Sequence, residues 1–170
     1  MRVSEIVQRE RRLLRKSRDC LEPVDVNDAV REVELFIRAE AHQYGARVEL
    51  DLLPGLPAVQ GDRVQLQQVV LNLARNGLQA MRAQPGARRA LSIRTASTTD
   101  EVTLSVTDGG GPVDESLLER MFEPFYTTKA EGLGMGLPIS KSIVESLRGR
   151  IWATRNPGGG LTMHVSVPRR

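Results

Sequence analysis

Between Asp62 and Met81 the chain carries two stripes at helical spacing, and together they limit what it can fold into. Leu66, Val69, Val70, Leu73, Gly77 and Ala80 recur at the three- and four-residue intervals of one helix face. Such a face must be buried against another layer. The second stripe, Gln65, Gln68, Asn72, Asn76 and Gln79, is polar but uncharged. A solvated face favours Glu and Lys, because Asn is a poor helix former that competes for its own backbone. Asn72 and Asn76 stand one above the other, where carbonyl oxygens suit a hard cation and amides suit phosphate oxygens. A pair of satisfied structural amides is the plainer reading. Asp62 reads as the N-cap with Gln65 as its capping-box partner, and Pro85-Gly86 ends the helix.

The surrounding periodicities supply the other layer. Val24-Asp25-Val26 is a short extended piece, and Asn27 reads as the N-cap of a helix to about Gln43. Val30, Val33, Leu35, Phe36, Ile37 and Ala41 form its expected apolar side. Gly45 breaks it, and Arg47–Leu52 alternates polar with apolar, the period of a strand with one wet face. Strands are predicted over Ala90–Ala96 and Glu101–Thr107, joined by a polar turn, and over Arg150–Thr154 and Thr162–Val167, around the turn Asn156–Gly160. A further helix spans about Leu137–Leu147. Three helices and about five strands in hairpins make an α+β, two-layer sandwich.

Composition removes several classes. A chain of 170 residues suits one domain with a short appendage. The single cysteine, Cys20, excludes an internal disulfide framework and a multi-cysteine zinc site. No apolar run reaches the roughly 18 residues of a membrane span and no signal peptide follows Met1, so a cytoplasmic location is expected. The pI near 9.5 suggests nucleic acid. However, residues 1–18 hold seven of the 24 basic side chains and two of the 21 acidic ones, leaving 17 basic against 19 acidic. The basicity belongs to the N-terminal segment, and nucleic acid is not an expected partner. Ser4–Ser17 reads as a helix with Ile6, Leu13 and Leu14 on one face, suited to a partner helix or to solvent.

Two glycine-rich sites follow the amide-bearing helix. From Asp108 to Gly136 the chain is too long and aperiodic for a simple connection, and such loops are usually functional. In Val106-Thr-Asp-Gly-Gly-Gly-Pro-Val113 a strand runs into an Asp and three glycines. Backbone can approach a flat group there, and a carboxylate can accept from an exocyclic amine; a tight turn with a solvated Asp is the plainer reading. In Thr127-Thr-Lys-Ala-Glu-Gly-Leu-Gly-Met-Gly-Leu137 three alternate glycines precede a helix, an anion cradle beside a lysine. Neither the P-loop nor the dinucleotide fingerprint fits, since Lys129 precedes the glycines and no parallel βαβ unit surrounds them.

In this order, the motifs resemble the catalytic and ATP-binding domain of sensor histidine kinases, the Bergerat fold shared with gyrase, the Hsp90 chaperones and MutL. Leu71–Met81 is similar to the N box, Asp108–Gly111 to the G1 box, Met121–Lys129 to the F box and Gly132–Gly136 to the G2 box. The resemblance covers about residues 22–168 and implies a mixed, mostly antiparallel sheet of about five strands on three helices. Residues 1–21 resemble the end of a dimerisation and phosphoacceptor helix with its linker, and 22–170 the catalytic domain.

The resemblance implies ATP and Mg²⁺ as cofactors. Asn76 would hold the metal, with Asn72 and Arg75 near the phosphates. Asp108 would receive the adenine amino group, with Gly110 and Thr162 close to the ring. Lys129, Gly132, Leu133, Gly134, Met135 and Gly136 would form the lid and its phosphate contacts, and Phe122 and Phe125 would anchor that lid. Implied partners are phosphoacceptor helices and a downstream response regulator, with a homodimer only where the dimerisation domain is complete.

Three departures bear on activity. Pro112 stands where the G1 box usually has Gly, and Gly77 where Ala is usual, the latter expected to cost helix stability and little chemistry. Neither His42 nor His164 sits in a His-Glu context on a dimerisation helix, so the chain has no recognisable phosphoacceptor. ATP-hydrolysing relatives place Glu one turn before the metal-binding Asn, where this chain has Asn72, which cannot abstract a proton. A kinase is therefore expected over an ATPase, with a degenerate nucleotide-binding or docking module as the alternative.

Overall fold

A computed structural model of the chain describes residues 21–82, 89–127 and 134–170. The helix expected over Ser4–Ser17 lies outside the described residues, as does Cys20. Along the chain the elements are β1 (Glu22–Val24), α1 (Val26–Gln43), β2 (Arg47–Asp51), β3 (Val59–Gly61), α2 (Arg63–Arg82), β4 (Ala90–Ser97) and β5 (Glu101–Thr107). They continue with α3 (Glu115–Arg120), α4 (Gly136–Ser146), β6 (Arg150–Arg155) and β7 (Leu161–Pro168).

Five strands form one sheet in the order β2-β4-β5-β7-β6. The β2–β4 pair is parallel and the other neighbours are antiparallel. The parallel pair arises because α2 intervenes between β2 and β4 as a crossover. β1 and β3 make a separate two-stranded antiparallel sheet. The extended piece expected at Val24–Val26 lies instead at Glu22–Val24, with Val26 opening α1, while β3 and α3 go beyond the sequence expectation because each is too short to establish a period.

Alternation along the strands sends Leu91, Ile93, Val102, Leu104, Val106, Met163 and Val165 into the core, where they meet Val33, Ile37, Leu66, Leu73, Leu78 and Ile143 from α1, α2 and α4. The buried side of α1 is Val26, Ala29, Val30, Val33, Ile37 and Ala41. Leu35 and Phe36 lie off this stripe and are 75% and 66% exposed, contrary to the expected apolar side.

The N-cap of α1 is Asp25 and not Asn27: its Oδ1 accepts from the Asn27 backbone N–H at 2.7 Å. The Asn27 side chain is buried instead. Its Nδ2 donates to Leu53 O at 2.8 Å, and its Oδ1 accepts from Thr95 Oγ1 at 2.7 Å. Thr95 Oγ1 in turn accepts from Leu53 N–H at 2.9 Å, closing a ring between α1, β4 and the segment after β2. Thr95→Val keeps the shape but orphans two of these partners. A loss of about 2–3 kcal/mol in urea unfolding is expected, against a small change for Thr95→Ser.

The sheet face opposite the helices is polar. His164 stacks on Trp152 with ring centroids 5.0 Å apart, and its Nδ1 and Nε2 lie 3.0 and 2.9 Å from the hydroxyls of Ser105 and Thr154. Burial pushes the imidazole below its usual value of 6.5. The unfolded chain therefore takes up this proton more readily than the folded one. The associated stability is complete above pH 6.5 and is lost as pH falls through the lower folded value. Urea midpoints between pH 7 and 5 should fall more steeply for the parent chain than for His164→Gln.

Candidate functional site

β5 delivers Asp108 to the core side. Val102, Leu104 and Val106 face the helices, so the pleat carries Asp108 the same way, and it is only 4% exposed. Its Oδ1 accepts from Gly110 N–H at 2.8 Å and Leu161 N–H at 3.4 Å, while its own N–H donates to Leu161 O at 2.9 Å. A buried carboxylate needs such donors, and the glycine at 110 leaves space for the side chain to turn back onto its own loop.

α2 closes one side of this carboxylate through Gly77. A Cβ at Gly77 would lie 2.9 Å from Leu91 Cδ1 and 3.0 Å from Asp108 Cβ. The sequence marks this glycine only as a weak point in the helix, yet it also lets α2 approach the Asp108 wall. Alanine there would force Leu91 and Asp108 to shift.

Asn72, on the amide stripe of α2, faces the start of α4. Asn72 Nδ2 donates to Gly136 O at 3.2 Å and approaches Ser140 Oγ at 3.3 Å. The buried Ser140 hydroxyl itself donates to Gly136 O at 3.0 Å. Asn72 thus serves α4 as a donor, which a carboxylate could not do. Asn76, one turn on, is half-buried on the same side. Arg75 is turned to α1, where its Nε donates to Glu40 Oε2 at 2.8 Å.

α4 begins at Gly136 after Met135, with no side-chain cap on its first turn. Gly134 has φ +64°, and a Cβ there would meet Tyr126 O at 2.7 Å. Phe125 N–H donates to Gly134 O at 3.2 Å, joining the Phe-containing segment to the helix start. Phe122 is half-buried against the core. Phe125 is not: it is 54% exposed with φ +66°, a left-handed backbone that non-glycine residues adopt under constraint. Lys129, Gly132 and Leu133 lie outside the described residues.

Thr162 does not aim at the Asp108 carboxylate. It pairs across the sheet with Thr107, on the face opposite the helices, and its Oγ1 donates to Asn156 Oδ1 at 2.7 Å. With that hydrogen committed, Thr107 is the donor in the 2.9 Å Thr107–Thr162 contact. Asn156, which the sequence marks only as the start of a turn, donates through Nδ2 to Asp108 O at 3.0 Å. No sequence signal separates such an Asn from an ordinary turn initiator.

Pro112, which has no N–H to donate, is exposed. α3 follows, capped by Asp114, whose carboxyl is lowered from its usual value chiefly by the Ser116 backbone N–H. Among the described residues there is no group of three His, Cys, Asp or Glu that could cage a metal, and no helix long and apolar enough to cross a membrane. An amide oxygen from α2 fits Mg²⁺ in a different way, since that ion keeps water and substrate phosphates as most of its ligands.

Residues 61–170 match the family described as histidine kinase-, DNA gyrase B- and HSP90-like ATPases. The chain is 38% identical over 172 residues to the sensor histidine kinase TmoS of Ectopseudomonas mendocina, covering 98% of this chain and 17% of that protein. Its fold superimposes on the nucleotide-free catalytic domain of the histidine kinase ThkA with a TM-score of 0.77 and 26% identity, covering 88% of this chain and 95% of that one. Full-length ShkA, solved with AMPPNP, shares the fold at a TM-score of 0.76 and 24% identity over 88% of this chain and 31% of that one. The chain thus spans less than a fifth of TmoS and under a third of ShkA. The fold is like that of histidine kinase catalytic domains, and the chain belongs to the histidine kinase-, DNA gyrase B- and HSP90-like ATPase family.

Proposed function

We propose that this domain binds Mg-ATP and passes its γ-phosphoryl group to a histidine on a separate dimerisation domain. The observation that carries the reading is the buried Asp108 carboxylate, pinned by two backbone N–H groups beside the amide stripe of α2 and the glycine start of α4. In this reading Asp108 accepts from the adenine amino group. The first-turn N–H groups of α4, with Gly134, Met135 and Gly136, meet the phosphates, joined by Lys129, Gly132 and Leu133. Asn76 contributes its amide oxygen to Mg²⁺, which when bound neutralises phosphate charge.

Asn72 separates transfer from hydrolysis. An amide cannot take a proton from water, whereas a neutral imidazole needs no base to attack phosphorus. Its nitrogen forms the new bond to γ-phosphorus as the bond to ADP breaks, and the domain's part is to hold and orient the triphosphate. Arg75 reaches the phosphates only by leaving Glu40. Residues 1–21 serve as the end of the dimerisation helix, a response regulator acts downstream, and the domain works in the cytoplasm.

The test mixes the chain with γ-labelled Mg-ATP and a separately purified phosphoacceptor helical domain. Acid-labile label on histidine is expected, with free phosphate released far more slowly. Rapid phosphate release without transfer would point to an ATPase instead.

A further inference from the structure

The hairpin turn between β6 and β7 lies against the loop that carries Asp108. Gly160 N–H donates to Gly111 O at 2.8 Å, and a Cβ on Gly159 would come within 2.8 Å of Gly110 O. Two backbone bonds shape the turn itself: Asn156 N–H to Gly160 O and Gly159 N–H to Asn156 O, each 3.0 Å. The Asn156 side chain is not needed for either. It reaches out of the turn and fixes the Asp108 backbone carbonyl, while Thr162 and behind it Thr107 hold the amide in its orientation.

We propose that Asn156 is a positioning residue that sets where the Asp108 carboxylate stands, and thereby how strictly the site reads the amino group of the base. This rests on the reading that Asp108 receives the adenine amine. The chain of contacts is Thr107 Oγ1 to Thr162 Oγ1 to Asn156 Oδ1, then Asn156 Nδ2 to Asp108 O. The Asp108 main chain is thus held at both ends, its N–H by Leu161 O and its C=O by Asn156. Without the amide donor one end is released, and the carboxylate moves with it. A side chain that merely stabilised the turn would weaken every nucleotide alike. A positioning residue instead changes the contrast between a base that offers an amine and one that offers a carbonyl.

The probes are ATP and inosine triphosphate, which differ at the group facing Asp108. Their dissociation constants are measured by calorimetry for the parent chain, Asn156→Ala and the isosteric Asn156→Asp, below each protein's melting temperature. Asn156→Asp keeps an acceptor for Thr162 and the backbone bonds of the turn but loses the donor, so it decides the matter if the alanine variant does not fold. The parent chain should favour ATP at least tenfold, and both folded variants should cut that ratio by about tenfold. An unchanged ratio in a folded variant, even with both affinities lowered, would overturn the positioning role alone. A parent chain that binds ATP and inosine triphosphate equally would overturn the reading of Asp108, and the proposal with it.

Discussion

Asp108→Ala is expected to weaken ATP binding by about 100-fold or more, as read by calorimetric titration. Removing a charge-assisted hydrogen bond costs up to about 3 kcal/mol, which by itself reaches that factor. Two further losses add to it. Gly110 N–H and Leu161 N–H lose their shared acceptor inside the fold, and the loop they define is no longer held in shape. The fold itself should weaken by about 2–3 kcal/mol, because buried donors are left unmatched. The isosteric substitution Asp108→Asn tests the two parts separately. The amide oxygen still accepts from the loop, so stability should be largely kept. Its NH₂ opposes the adenine amine, so affinity should fall nearly as far as in the alanine variant.

The second large effect concerns the turn over that loop. Gly160 has φ +81°, and a Cβ there would lie 2.7 Å from both Asp108 Oδ1 and Gly110 N, and closer still to the Asp108 carbonyl oxygen. Gly160→Ala therefore combines a strained backbone with a clash against main chain that has no room to give. A cost of about 3 kcal/mol or more is expected, lowering the melting temperature by about 10 °C and ATP affinity with it. Gly158, two residues earlier, would meet nothing within 4 Å. Gly158→Ala should leave both quantities almost unchanged, which makes the pair a control for position within one turn.

Elements with a long period are legible in the sequence, and contacts across the chain are not. Eight residues of alternation suffice to place β4, and twenty residues of stripe to place α2, within a residue or two. β1 and β3 have three residues each, too few for either period. Apolar character alone puts Leu35 and Phe36 on the buried side, yet the packed stripe of α1 is set by spacing, and they fall outside it. Asn27 has the right residue type for a cap, but its partners, Leu53 and Thr95, lie 26 and 68 residues away in sequence.

The site divides the same way. Asp108 and its glycines are readable because a strand running into Asp-Gly-Gly-Gly is a local pattern. The roles of Gly77 and Asn156 are not, since each depends on where Asp108 sits in space. Thr162 falls on the expected strand, but the pleat turns its hydroxyl to the opposite face.

If the buried Asp108 carboxylate receives the adenine amine, this domain must distinguish adenine from guanine nucleotides. Calorimetric titration of the chain with Mg-ATP and, in parallel, Mg-GTP tests it most directly. Saturable binding of ATP, with GTP at least tenfold weaker, is the expected result, because guanine presents a carbonyl where adenine presents its amine. No binding of ATP at millimolar concentration, or equal binding of the two nucleotides, would contradict it.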